Sequence, residues 1–229
     1  MVNTRPRRDA NWYPVAKGLK SLVVNGVPKV YSNECGNDLW IREVVFLGKR
    51  NGYFVEAGAA DGIMGSSCFF LERQLGWRGI CIEPHDVFFA NLCRSWLNSI
   101  HANVCLAREN GLVDFVMAPA EGDMNPFLSG VRDVLARYKH GGKFVAASGV
   151  TVRKPASTLV ELLRTHDAPH EIEYGAFDIE GSEFEALRDF PFDEYRFLAL
   201  LAANGYVETR NPFNQDCAWE HYWLHQSIV

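Results

Sequence analysis

Glu56, Gly58, Ala60 and Gly62 stand at alternate positions of YFVEAGAADGIMGSS, residues 53–67, where an apolar run ends in a carboxylate and glycines follow. Glycines so close together break any regular helix or strand, so the backbone there serves something other than packing. Two ligand templates compete for it. A dinucleotide turn, G-x-G-x-x-G, needs glycines where the chain has Gly58, Ala60 and Ile63, and the match is poor. The spacing acid-x-G-x-G-x-G, which serves S-adenosylmethionine, fits Glu56, Gly58 and Gly62 with Ala60 as a small middle residue. That turn lets a methionine moiety and a ribose lie against bare backbone, whereas the dinucleotide turn aims a helix N-terminus at a pyrophosphate.

Glu83 follows about twenty residues after Gly62, in GICIEP, the distance at which a carboxylate accepts hydrogen bonds from both hydroxyls of a ribose. It points to an adenosine ligand without choosing between nicotinamide and adenosylmethionine. The plainer role for Glu83 and Pro84 is a helix entry, with proline at the first helical position behind an acid. Asp178 and Glu180, in AFDIEG, form the second constellation. A carboxylate there would take a proton from an attacking hydroxyl, or hold a divalent cation such as magnesium that acidifies it, with Asp178 the candidate ligand. Its plainer role is the N-cap of a helix at 182, which Ser182 could fill without either acid. Of the scattered histidines, His85 alone adjoins these motifs, at the edge of the adenosine site.

These residues need elements to hold them. YFVEAG (53–58) and GICIEP (79–84) read as buried strands, with HANVCLA (101–107) a third; GSSCFFLERQL (65–75) and DVFFANLCRSWL (86–97) read as the helices between. This alternation predicts an α/β fold with a mostly parallel central sheet and helices on both faces. Further on, LVDFVMA (112–118) and EYGAFDIEG (173–181) read as strands, STLVELLRTH (157–166) as a helix opened by Ser157, and SEFEALRDF (182–190) as another helix. LKSLVVNGVPKVY (19–31) carries the hairpin signal Asn25-Gly26, with Pro28 consigning its second arm to an edge. DLWIREVVFL (38–47) reads as a helix capped by Asp38. The stretch 119–150 holds five glycines and two prolines and suits a lid or substrate loop. AWEHYW (218–223) suits a closing strand.

Composition bounds the rest. With 229 residues, 48% hydrophobic and 22% charged, the chain is expected to form one large domain. A net charge of −5 argues against a nucleic acid as principal partner. Arg5, Arg7 and Arg8 precede no apolar run, so the start reads as a short arm and neither a secretory signal nor a membrane span. Six cysteines without a C-x-x-C pair read as reduced thiols of a cytoplasmic protein and exclude a zinc finger.

Taken together, NGYFVEAGAADG, GWRGICIEP, STLVELL, EYGAFDIEGSEFEAL and LAANGY with Asn214 and Asp216 resemble the ordered motifs of FkbM-type methyltransferases, from about residue 34 to 216. The resemblance implies a Rossmann-like methyltransferase sandwich over residues 34–229 behind an arm and cap at 1–33. It also implies S-adenosylmethionine as donor and an O-methyl product on a sugar, glycan or other hydroxylated metabolite. On that reading Gly58, Ala60, Asp61 and Gly62 shape the cofactor turn and Glu83 grips the ribose. Asn103 to Ala107 flank the adenine, and Asp38 and Ser66 reach the methionine head group. Asp178, with Glu180 beside it, is base or metal ligand. Ala60 stands where many relatives carry asparagine, and the segment after Phe197 is shorter than theirs, either a trimmed sheet edge or residues missing from the chain. Three rival functions stay open: methylation of a non-sugar hydroxyl such as a polyketide's, a nicotinamide-dependent oxidoreductase, and an inactive binding module of the same fold.

Overall fold

The computed structural model of the chain describes residues 19–33, 35–95, 98–118, 126–137, 142–200, 206–209, 212 and 222–225. The N-terminal hairpin forms as its turn dictates: β1 (Lys20–Val24) pairs antiparallel with β2 (Val27–Tyr31) around Asn25 and Gly26, both at positive φ. Helix α1 (Asn37–Trp40) runs on as a π-helical turn at Ile41–Val45. Its N-cap is Gly36, so Asp38 is not the capping residue; it lies inside the first turn, fully buried.

The next elements follow the alternation in the sequence: β3 (Tyr53–Ala57), α2 (Phe69–Leu75), β4 (Arg78–Ile82), α3 (Asp86–Leu92) and β5 (Ile100–Ala102). The expected third strand then breaks in two. Residues 100–102 stay in the main sheet, while β6 (Cys105–Leu106) turns into a second one, with β7 (Gly111–Met117), β8 (Gly130–Val131) and β9 (Val150–Ser157) in the order β6-β9-β7-β8. Strand β7 therefore lies outside the central sheet, and β9 was not foreseen. Its alternation is disguised because Lys154 takes an inward position. The glycine-rich stretch supplies a 3-10 turn at Pro126–Leu128, strand β8, α4 (Arg132–Leu135) and α5 (Gly142–Ser148); the lid expected there falls partly on 119–125 and 138–141, outside the described residues.

The chain returns through α6 (Leu159–Thr165), β10 (Glu171–Phe177), α7 (Glu183–Leu187), β11 (Arg196–Leu200), β12 (Tyr206–Thr209) and β13 (Tyr222–His225). Thr158, not Ser157, caps α6, accepting from the Glu161 amide at 3.2 Å. The central sheet has the order β12-β13-β11-β10-β3-β4-β5, parallel throughout except for β13, which runs antiparallel to both neighbours. A strand, β11, does follow Tyr195; the segment beyond it, 201–205, lies outside the described residues.

Both faces of the sheet are covered, which is why its inner strands read as unbroken apolar runs. Val55, Ala57, Ile80 and Ile82 pack with Leu159 and Leu163 of α6 and Leu187 of α7. Phe54 and Cys81 pack on the other side with Trp40, Leu71, Trp77 and Leu92. Strand order reverses between β3, which leads to β4 and β5, and β10 on its other side; in such sheets ligands bind beyond the carboxyl ends of the strands at that reversal. One expectation about chemistry fails: Cys35 is buried and disulfide-bonded, whereas Cys68, Cys81, Cys93 and Cys105 are free thiols.

Candidate active site

The turn after β3 is built for close approach. Gly58 has φ +82°, and a Cβ there would sit 1.9 Å from the Asp178 carbonyl oxygen, so only glycine lets the ends of β3 and β10 abut. The amides of Gly58 and Ala59 both donate to the Ile82 carbonyl, tying the turn to β4. Asp61 Oδ1 accepts from the amides of Ile63 and Met64 and so shapes the backbone. Glu83 crosses the gap: its Oε2 accepts from the Ala60 amide at 2.8 Å and its Oε1 from the His85 amide at 2.7 Å. Burial pushes the Glu83 carboxyl up to about 7, against the pull of those amides and of Lys154.

Ala60 sits at φ +47°, a left-handed conformation that costs an alanine about 1–2 kcal/mol and that asparagine tolerates better. Ala60→Asn is therefore expected to raise the stability of the ligand-free chain by about 1 kcal/mol, or about 2–4 °C in Tm at this size. Thermal unfolding checks it, and an unchanged or lower Tm would show that the turn holds no strain there.

At the end of β10 the backbone is strained again. Glu180 has φ +55° and Gly181 +91°. Glu183 supports this bend by accepting from the amides of Ile179 at 2.9 Å and Gly181 at 3.3 Å. Ser182 occupies the N-cap position of α7 but makes no capping bond; its hydroxyl is buried and has no partner among the described residues. The plain capping role thus fails for Ser182, and Glu183 braces the bend that precedes the helix. Burial, then the charges of Asp178 and Glu183, push the Glu180 carboxyl up to about 8.

A cleft open to solvent joins these pieces. Gly58, Ala60, Glu83 and Pro84 line one part and Asp178 and Glu180 another, with Ile82, Phe88, Val104, Phe115 and Phe127 as apolar wall. Phe127 stacks on Phe88 at 5.1 Å, and the His85 ring lies 4.8 Å from Phe88. The mixture of apolar wall with few polar groups suits a small-molecule site. Helix α2 begins only at Phe69, well past Gly62, so no helix N-terminus opens at the turn as pyrophosphate binding requires.

A model of the methyltransferase FkbM domain matches residues 56–218. The chain belongs to the FkbM methyltransferase family. Comparison with curated proteins and with solved structures gave no match. The matched span starts at Glu56, so in this FkbM chain Asp38 lies ahead of the family domain.

Asp38 and Glu56 form a buried acidic pair under the turn. Glu56 accepts from Ser66 Oγ at 2.9 and 3.0 Å and from the Ser67 amide at 2.6 Å, while Ser66 Oγ accepts from the amides of Cys68 and Phe69 that lead into α2. Asp38 Oδ2 accepts from the Ser32 amide at 3.0 Å, and Ser32 Oγ donates to the Ser66 carbonyl at 2.7 Å. Asp38 Oδ1 is buried with no hydrogen-bond partner among the described residues. Burial drives both carboxyls up to about 7, with Asp38 adding to the rise at Glu56.

Of the residues singled out in the sequence, Gly58, Ala60, Glu83, Pro84, Asp178 and Glu180 meet at the cleft. Asp38, Glu56, Asp61, Gly62, Ser66, Asn103 and Ala107 do not line it. Asp38, Glu56 and Ser66 form the buried pair and its support, Asp61 and Gly62 shape the turn, and Asn103 donates to the carbonyls of Glu83 and Pro84 at 2.9 and 3.3 Å. Ala107 borders a neighbouring groove. No group of three or more His, Cys, Asp or Glu among the described residues is arranged to hold a metal ion, so the cation proposed at Asp178 finds no ligand set there. Sequence reasoning missed Phe88, Phe115 and Phe127. Only Phe88, adjacent to Phe89 in α3, carried a hint, since neighbouring apolar residues on a helix face different ways.

Proposed function

We propose that this chain transfers a methyl group from S-adenosylmethionine to a hydroxyl of a sugar or glycan. The observation that carries the reading is the bond from the Ala60 amide to Glu83 at the rim of the cleft that also reaches Asp178 and Glu180. It brings the turn and the ribose acid to one place. The sheet order, with antiparallel β13 between β11 and β12, suits a Rossmann-like methyltransferase sandwich.

Bound there, S-adenosylmethionine supplies a methyl group activated by its sulfonium. The chain contributes position and proton handling. Glu83 accepts from the ribose hydroxyls, and the apolar wall of Phe88, Phe115 and Phe127 takes the adenine. Asp178 accepts from the acceptor hydroxyl and orients its oxygen toward the methyl carbon; holding the reactants so removes much of the entropic barrier. Glu180, raised to about 8, has the affinity for a proton that a general base needs near neutral pH, and it receives the hydroxyl proton. Two carboxyl groups side by side suit a polyhydroxylated acceptor.

Calorimetric titration with S-adenosylhomocysteine and with NAD, followed by methyl-transfer assays on a sugar panel with and without magnesium, tests the reading. Binding of S-adenosylhomocysteine alone and a methyl ether product are expected. NAD binding without S-adenosylhomocysteine binding would return the site to an oxidoreductase, and tight binding with no product on any hydroxyl acceptor would make the chain a binding module.

A further inference from the structure

Lys154 is a charged residue in the middle of β9 with only 6% of its surface exposed. Lysine is seldom buried to that extent without partners. Its ammonium pairs with Asp86 in the first turn of α3 and donates to Asn103 Oδ1 at 3.1 Å. Asn103 in turn donates its amide group to the carbonyls of Glu83 and Pro84. One side chain from the small sheet therefore ties together the start of α3, the end of β5 and the backbone that carries Glu83.

We propose that Lys154 is a positioning residue for the adenosine end of the site, locking the backbone of Glu83 and Pro84 through Asn103. The proposal rests on the reading of the cleft as a methyl-donor site. Lys154 does not line the cleft, so its action runs through Asn103 and through its field. Asn103 spends both ends of its amide in the relay, and without the ammonium its part-buried oxygen would lose that donor. The ionisable groups gathered around Glu83 are Lys154 from β9, Asp86 from α3, Cys105 from β6 and the adjoining His85; of these Lys154 is the cation that favours the charged carboxylate.

The test uses the full chain as wild type, Lys154→Met, Lys154→Arg and Asp86→Ala. Amide hydrogen exchange without ligand follows the Ala60 and His85 amides that donate to Glu83; calorimetry with S-adenosylhomocysteine follows affinity across pH 6 to 9 in the same proteins. For Lys154→Met the expected results are faster exchange at those two amides and an affinity about tenfold lower at pH 7, the equivalent of one lost hydrogen-bond network. The pH at which affinity half-saturates should also move upward, a readout that loosened packing alone would not give. Lys154→Arg should restore part of both. Asp86→Ala removes a half-exposed side chain and so keeps the test open should Lys154→Met fail to fold: exchange at the same two amides should quicken by less, while the pH midpoint, with an anion gone and the ammonium left, should move downward. Wild-type exchange and an unmoved pH midpoint in the folded variants would overturn the proposal. Absence of S-adenosylhomocysteine binding in the wild type would instead overturn the donor reading, while the exchange measurement would still decide the clamp.

Discussion

Replacing Glu83 with alanine is expected to weaken S-adenosylhomocysteine binding by about 100-fold or more, since two charge-assisted hydrogen bonds contribute about 1.5–3 kcal/mol each. The loss has two sources. The ribose hydroxyls lose their acceptor, and the amides of Ala60 and His85 lose the carboxylate that holds the turn against the end of β4. Glu83→Gln separates them: glutamine keeps one oxygen acceptor but sets an NH₂ group against one of two N–H donors, so affinity should fall nearly as far without loss of volume. The pH dependence follows the same logic. The ionised form is the one that accepts from hydroxyls and amides, and its pKa lies at about 7, so wild-type affinity should rise through that pH and level off above it. Calorimetry at pH 6 and pH 8.5 checks both points. Wild-type affinity in Glu83→Ala would remove the ribose from this position.

Glu180→Gln is expected to lower kcat by a factor of about 10²–10⁴, the usual contribution of a general base, while leaving S-adenosylhomocysteine affinity within a few-fold. In the wild type kcat should fall below about pH 8, as Glu180 takes up its proton, and Asp178→Asn should move that limb to lower pH because the Asp178 charge helps to raise Glu180. Full turnover in Glu180→Gln combined with none in Asp178→Asn would hand the proton to Asp178. Stability gives an independent readout. The Glu180 pKa is raised from its ordinary 4.5 to about 8 in the folded chain, so the folded state holds this proton more tightly than the unfolded one. Its stabilising contribution is complete below about 4.5 and fades as pH climbs to about 8. Glu180→Gln removes the cost of the buried charge, so its Tm advantage over wild type should be greater at pH 9 than at pH 5. Equal differences at both pH values would mean that Glu180 ionises freely.

What the sequence made legible follows from which physical signals are local. Strands β3 and β4 are buried on both faces, and their unbroken apolar runs announce it; Glu83 could be placed because the distance along a βαβ unit is nearly fixed. The split of residues 100–106 between two sheets left no trace, since a period of two says how a strand is pleated and not which neighbour it joins. Lys154 hid β9 because an inward charge mimics an outward one until its partners, far along the chain, are known. Asp38 has the residue type of a helix cap, yet Gly36 holds that position with a left-handed backbone, and Asp38 is buried inside the first turn. Phe127 acts through a tertiary contact with α3, which spacing alone does not encode, and Glu183 through local bonds to a bend whose left-handed backbone at Glu180 the residue types do not announce.

The family domain begins at Glu56, but Leu39, Trp40 and Ile41 are almost wholly enclosed and Trp40 and Ile41 belong to the same packed layer as Phe54 and Trp77. A fragment cut at the family boundary would therefore not be an autonomous folding unit: it would bare an aromatic floor to water, invite self-association during expression, and lack one of its two deepest acids. Any minimal version intended for crystals or assays has to carry the stretch from Ser32 onward.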